Sequence, residues 1–127
     1  MLKWFTRLIT SQLERKKVRN PEDDYVIVLT DESIEVMNPD GTKASVRWDD
    51  IQTITLMTTD QGPFLPDVWF ELNGTEGRCL FPQGAPLSDE AYQRISQFDG
   101  FDFEVFINAM SVTDNALHLL WQRKALS

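Results

Sequence analysis

Ile34-Glu35-Val36-Met37-Asn38-Pro39-Asp40-Gly41-Thr42-Lys43-Ala44-Ser45-Val46-Arg47-Trp48 decides the fold class of this 127-residue chain. Pro39 pre-sets φ for a turn, Asn38 and Asp40 cap it, and Gly41 accepts a positive φ. Apolar residues alternate with polar ones beyond the turn, so the stretch predicts a β-hairpin. The same pattern extends in both directions. Tyr25-Val26-Ile27-Val28-Leu29 is a β-branched run of strand length, and the Asp49-Asp50 corner leads into Ile51 to Met57. Residues 67–73 and 77–82 flank Asn73-Gly74-Thr75-Glu76-Gly77 as a second hairpin.

Two helices are predicted after these six strands. Ser88 is the expected N-cap of the first, with Asp89 and Glu90 in the first turn, Leu87 stapled onto Tyr92, and Ala91, Tyr92, Ile95 and Phe98 facing inward. Gly100 ends it and Asp102 caps the next. The spacing of Phe103, Phe106, Ile107 and Met110 predicts that the second helix turns these four to the core. Residues 116–122 fit strand or helix. Thr113-Asp114-Asn115 supplies a turn and Leu117, Leu119 and Trp121 alternate, so a final strand is the reading adopted. The expected fold is therefore α+β: an antiparallel meander sheet or roll of six or seven strands, two helices in the C-terminal half, and an N-terminal amphipathic helix.

That last element comes from the charge distribution. The net charge is -8, yet residues 1–20 hold six basic residues (Lys3, Arg7, Arg15, Lys16, Lys17 and Arg19) against the single acid Glu14, leaving +5. The remainder, with six basic and 19 acidic residues, carries -13. On a helix, Leu2, Trp4, Phe5, Leu8, Ile9 and Leu13 share one half of the circumference and Lys3 and Arg7 the other. Asn20-Pro21 closes the segment. The expected organisation is an arm at 1–20 and a single domain at 21–127. The arm's apolar residues are too interrupted for a signal peptide or a membrane span. They suit docking on protein, in the same chain or through a homo-oligomer, or adsorption to a membrane surface.

Composition narrows the function classes. An acidic body is repelled by phosphates, which argues against nucleic acid as a partner. Cys79 is the single cysteine and His118 the single histidine, too few for a zinc site, and no glycine-rich phosphate loop is present. No catalytic residue, metal or cofactor is assigned. Cys79 reads as a small buried hydrophobe and His118 as a packing residue. Asp49, Asp50, Asp60 and Asp67 are the carboxylates that an oxygen-ligand site at one end of the sheet would use. The long connection from Thr58 to Asp67 carries Phe64 and Leu65 between two prolines, and Asp60, Gln61, Phe64, Leu65 and Asp67 are the candidate partner-binding residues.

Trp48-Asp49-Asp50-Ile51, Thr58-Thr59-Asp60-Gln61-Gly62-Pro63, Asp67-Val68-Trp69-Phe70, Cys79, Pro82-Gln83-Gly84-Ala85 and Gly100-Phe101-Asp102 resemble a family of small uncharacterised bacterial proteins over roughly residues 44–123. The resemblance implies a bacterial, cytoplasmic protein and brings no catalytic residue. The meander is also loosely similar to pleckstrin-homology-like rolls, from which it departs by placing two helices before its last strand. Three function classes follow, in the order of how much sequence each explains. The first is a non-enzymatic interaction module whose acidic body binds a basic protein, as inhibitors of the immunity type do. The second is a peripheral adaptor held at the inner membrane by the arm, and the third a carboxylate-dependent metal enzyme.

Overall fold

The computed structural model describes residues 21–60, 68–111 and 114–124. The amphipathic segment 1–20 lies outside these residues. A 3-10 turn at Pro21–Asp24 leads into β1 (Val26–Leu29), β2 (Ser33–Met37) and β3 (Lys43–Arg47), which form an antiparallel three-stranded sheet in that order. The hairpin between β2 and β3 closes as its residues dictate. Gly41 has φ 90°, the amide of Thr42 donates to Asp40 Oδ1 at 3.0 Å, and Asn38 Nδ2 donates to Thr42 Oγ1 at 2.9 Å.

The predicted meander breaks after β3. A 3-10 turn at Trp48–Asp50 carries the chain into a second sheet made of β4 (Ile51–Thr58), β5 (Val68–Gly74), β6 (Arg78–Pro82) and β7 (Ala116–Gln122), ordered β6-β5-β4-β7. Residues 116–122 are thus a strand, and it pairs antiparallel with β4 rather than extending a meander. Local turn chemistry could predict hairpins. It could not predict this pairing, which joins strands some sixty residues apart in the chain.

Burial shows why two sheets form. Ile54, Leu56 and Thr58 on β4, Phe70 and Leu72 on β5, and Cys79 and Phe81 on β6 are all buried on one face of the larger sheet. The smaller sheet covers one end of that face through Ile27, Ile34, Val36 and Val46, bringing Cys79 Sγ to 3.6 Å from the carbonyl of Ile34. Helices α1 (Ser88–Ile95) and α2 (Phe103–Ala109) cover the other end. There Phe70 packs against Phe81, Tyr92 and Phe106 at ring separations of 5.5, 6.1 and 6.2 Å, and Tyr92 stacks on Phe106 at 4.8 Å. Aromatic pairs at these distances contribute roughly 0.5–1.5 kcal/mol each beyond the area they bury.

Three local expectations are corrected. Ser88 is the first helical residue of α1, and Leu87 takes the N-cap position with φ 70°. The Ser88 hydroxyl donates to the carbonyl of Gln83 instead of capping, and Leu87 stands 45% exposed. On β7 the alternation of Leu117, Leu119 and Trp121 is interrupted by a bulge. Ile54 faces Trp121 and Thr55 faces Leu119, so Leu120 is inserted and buried while Leu117 and Leu119 point outward. On α2 the inward residues are Val105, Phe106 and Ala109; Phe103, Ile107 and Met110 face solvent. Asp102 does cap α2, its Oδ1 accepting from the amide of Val105 at 3.0 Å.

The two sheets meet closely at Gly77, where a Cβ would collide with the backbone carbonyl oxygen of Ser45 on β3. Backbone cannot swing aside as a side chain can. Gly77→Ala is expected to destabilise the protein by about 1–3 kcal/mol through overpacking, read as a lower urea midpoint with an unchanged m-value.

Candidate functional site

Of the five loop residues singled out by sequence, Asp60 lies within the described residues and Gln61, Phe64, Leu65 and Asp67 lie outside them. Asp60 is exposed. Its amide donates to Asn115 Oδ1 at 3.2 Å and its Oδ1 accepts from Asn115 Nδ2 at 2.9 Å, tying the start of the long connection to the start of β7. Asp49 and Asp50 precede β4 and Asp60 follows it. An eight-residue strand separates them by about 26 Å, so the expected meeting of these carboxylates at one end of the sheet does not occur. Among the described residues no group of three or more His, Cys, Asp or Glu side chains is placed to hold a metal ion.

Asp50 instead fastens the β5–β6 turn to the β3–β4 corner. It accepts from the Thr75 hydroxyl and from the amide of Glu76 at 3.1 Å. These bonds, the Thr75 hydroxyl foremost, hold its carboxyl below the usual carboxylate range. Arg123 braces the same corner from the end of β7, donating from Nε to the carbonyl of Ile51 and from an Nη to that of Asp49, each at 3.0 Å.

His118 reaches the buried Thr58, with Nε2 and Oγ1 3.3 Å apart. Thr58 Oγ1 donates its only proton to the carbonyl of Asp114 at 2.8 Å. Its oxygen can then only accept, which makes His118 Nε2 the donor. The Thr58 hydroxyl is thus committed to a carbonyl, and the pair ties β7 to β4. Cys79 is fully buried in the core. Burial, helped by the nearby Glu35 carboxylate, pushes its thiol up to about 12.

An exposed apolar surface lies on α2. Its sequence, Phe-Glu-Val-Phe-Ile-Asn-Ala, sets Glu104 and Asn108 on one side and apolar residues round more than half of the circumference, so burying one stripe leaves another exposed. Ile107 is 65% exposed and Phe103 50%, with Met110 beside them at the helix end. These positions, i, i+4 and i+7, share one side of the helix. The exposed acids Asp99, Asp102 and Glu104 lie at the N-terminal side of the stripe. At its other end Gln83 Nε2 donates to Met110 Sδ at 3.6 Å. The orientation is set from outside the helix: the amide of Asp102 donates to the carbonyl of Leu120 on β7 at 2.8 Å, and Phe106 is drawn into the ring cluster. Sequence reasoning found these residues and assigned them the wrong side. The width of the apolar arc in residues 103–109, greater than one buried stripe, was the available signal.

No helix among the described residues is long and apolar enough to cross a membrane. Comparison with family models, curated proteins and solved structures finds no match to this chain.

Two outcomes are expected. Cys79 will resist a disulfide-exchange reagent at pH 8 and become reactive only as the protein unfolds, checked by following thiol release along a urea titration. Asp50→Asn will lower the melting temperature at pH 7. Because the folded-state carboxyl is depressed, its contribution is present above the ordinary carboxylate range and lost as pH falls through the folded value. The melting temperatures of variant and parent should therefore converge in acid.

Proposed function

We propose that this chain is a non-enzymatic protein–protein interaction module whose acidic body takes a basic protein surface, with α2 as the point of contact. The observation that carries the reading is the α2 stripe of Phe103, Ile107 and Met110, exposed beside Asp99, Asp102 and Glu104. An apolar centre with a charged rim is the usual anatomy of a binding patch: the centre supplies affinity, and the rim steers the partner and rejects wrong ones. The chemistry of the partner follows from the patch. It presents apolar side chains ringed by Lys and Arg. A small acidic inhibitor of the immunity type acts in this way, which makes that class the specific form of the proposal. Asp50, Thr58, Cys79 and His118 support it in a second way, since each is engaged in holding the fold together. The reading as a membrane adaptor draws on residues 1–20, which lie outside the described residues.

Ile107→Glu tests the proposal because Ile107 is largely exposed and the substitution leaves the core intact. Full-length protein, parent and variant, is used to capture partners from source-cell extract. A basic protein retained in stoichiometric amount by the parent should bind the variant at least about tenfold more weakly, at an unchanged melting temperature. Its affinity for the parent should fall with added salt. Equal retention by both proteins removes α2 as the contact.

A further inference from the structure

Leu87 is a residue that the fold alone does not explain. Among the described residues it is the one non-glycine with a positive φ, 70° with ψ 4°. In that left-handed conformation Cβ crowds the following carbonyl oxygen, a cost that Gly avoids and Asn tolerates. The position before α1 favours the same two residues, since an N-cap gains from a short side-chain acceptor or from Gly and loses with Leu. Leu87 makes no side-chain cap bond, and at 45% exposed it lies outside the core cluster. Its backbone is nonetheless held firmly. The amide of Ser88 donates to the carbonyl of Ala85 and the amide of Ala91 to that of Leu87, each at 3.0 Å, while the Ser88 hydroxyl donates to the carbonyl of Gln83. A strained apolar side chain fixed on the surface, with no gain from burial, points to a contact made outside the fold.

Gln83 connects this position to α2. Its carbonyl accepts from Ser88, the residue after Leu87, and its Nε2 donates to Met110 Sδ at 3.6 Å. Leu87 thus stands at one end of a bridge whose other end is the stripe of Phe103, Ile107 and Met110. Charge across this region has one sign. Residues 79–122 contain six acids, Asp89, Glu90, Asp99, Asp102, Glu104 and Asp114, and a single base, Arg94. Arg94 is committed to the Trp48 ring and to the carbonyl of Asp31. Asp89 and Glu90 are exposed close to Leu87 in the chain, just as Asp102 and Glu104 are exposed on either side of Phe103.

We infer that Leu87 is a second contact residue, held outward by its backbone, and that a basic amphipathic helix of the partner spans Leu87 and the α2 stripe. The stripe's spacing of four and three residues makes it a ridge, which the apolar face of another helix fits. Lys and Arg flanking that face meet acids at both ends of the surface. The inference rests on the function proposed above and adds to it the form of the partner and a contact residue outside α2.

The test uses a synthetic helix of Leu and Lys with its leucines at spacings of three and four, titrated by fluorescence anisotropy against the full-length parent, Leu87→Asn and Ile107→Asn. Both substitutions are at exposed positions and leave the net charge unchanged. The parent should bind the peptide, and each variant at least about tenfold more weakly. Leu87→Asn should melt at the same or a higher temperature, because Asn suits the left-handed backbone. Lost affinity with undiminished stability is a combination that a purely structural Leu87 would not give. A peptide of the same residues shuffled to break the apolar face should bind parent and variants alike. No binding by the parent, a lower melting temperature in Leu87→Asn, or discrimination that persists with the shuffled peptide would overturn the inference. If Ile107→Asn weakens binding and Leu87→Asn does not, the inference fails and α2 stands as the contact. If neither does, the function proposed above fails with it, and weakening by Leu87→Asn alone overturns the spanning helix.

Discussion

Trp48 fixes the corner at which the chain leaves one sheet for the other, and the placement of every later element depends on it. Its amide donates to the carbonyl of Glu32 at 3.0 Å and its Nε1 to that of Thr30 at 2.8 Å, so the buried indole is tied at both ends to the turn between β1 and β2. Arg94 of α1 lies over the ring at 4.7 Å and donates to the carbonyl of Asp31 at 3.1 Å. One side chain thus joins the small sheet, the crossing to the large sheet, and the first helix. A cation held against a partly desolvated ring contributes on the order of 1 kcal/mol. The geometric effect is larger in consequence, since it fixes which end of the large sheet the small sheet covers and leaves the other end to the helices.

That division of labour produces the exposed apolar stripe on α2. The helices and the connection between them fill the remaining end with Tyr92, Phe106 and Phe101, and α2 must rotate Phe106 inward to complete the ring cluster. A helix with so wide an apolar arc cannot hide Phe103, Ile107 and Met110 once Phe106 is committed. Buried polar groups follow the opposite rule: among the described residues every buried side-chain nitrogen and oxygen meets a hydrogen-bond partner. The result is a body whose polar side chains hold it together and whose exposed apolar stripe, set beside acids, is available to a partner.

Local elements were legible in the sequence because their causes are local. The turn at Asn38–Gly41 carries its own capping groups, Asp102 caps α2 from the adjacent position, and Cys79 reads as buried from its neighbours Leu80 and Phe81. What escaped depends on residues far away in the chain. The split into two sheets rests on β7 pairing with β4, and the bulge at Leu120 shifts the face that simple alternation assigns to Leu117 and Leu119. The side of α2 that faces inward is chosen by Leu120 and Phe70, which no period within residues 103–110 encodes. The candidate site was illegible for the same reason. Its residues were visible as apolar, and their exposure is decided by the core they fail to enter.

The central claim is that α2 is where a basic partner meets this acidic body, and position-specific photo-crosslinking in cells tests it most directly. A benzophenone side chain is placed at position 107 and, as a control on the far side of the small sheet, at the exposed position 43. A single discrete adduct with a basic protein from position 107, absent from position 43 and diminished by raised salt in extract, is the predicted result. Adducts from both positions alike, or none from position 107, would contradict it.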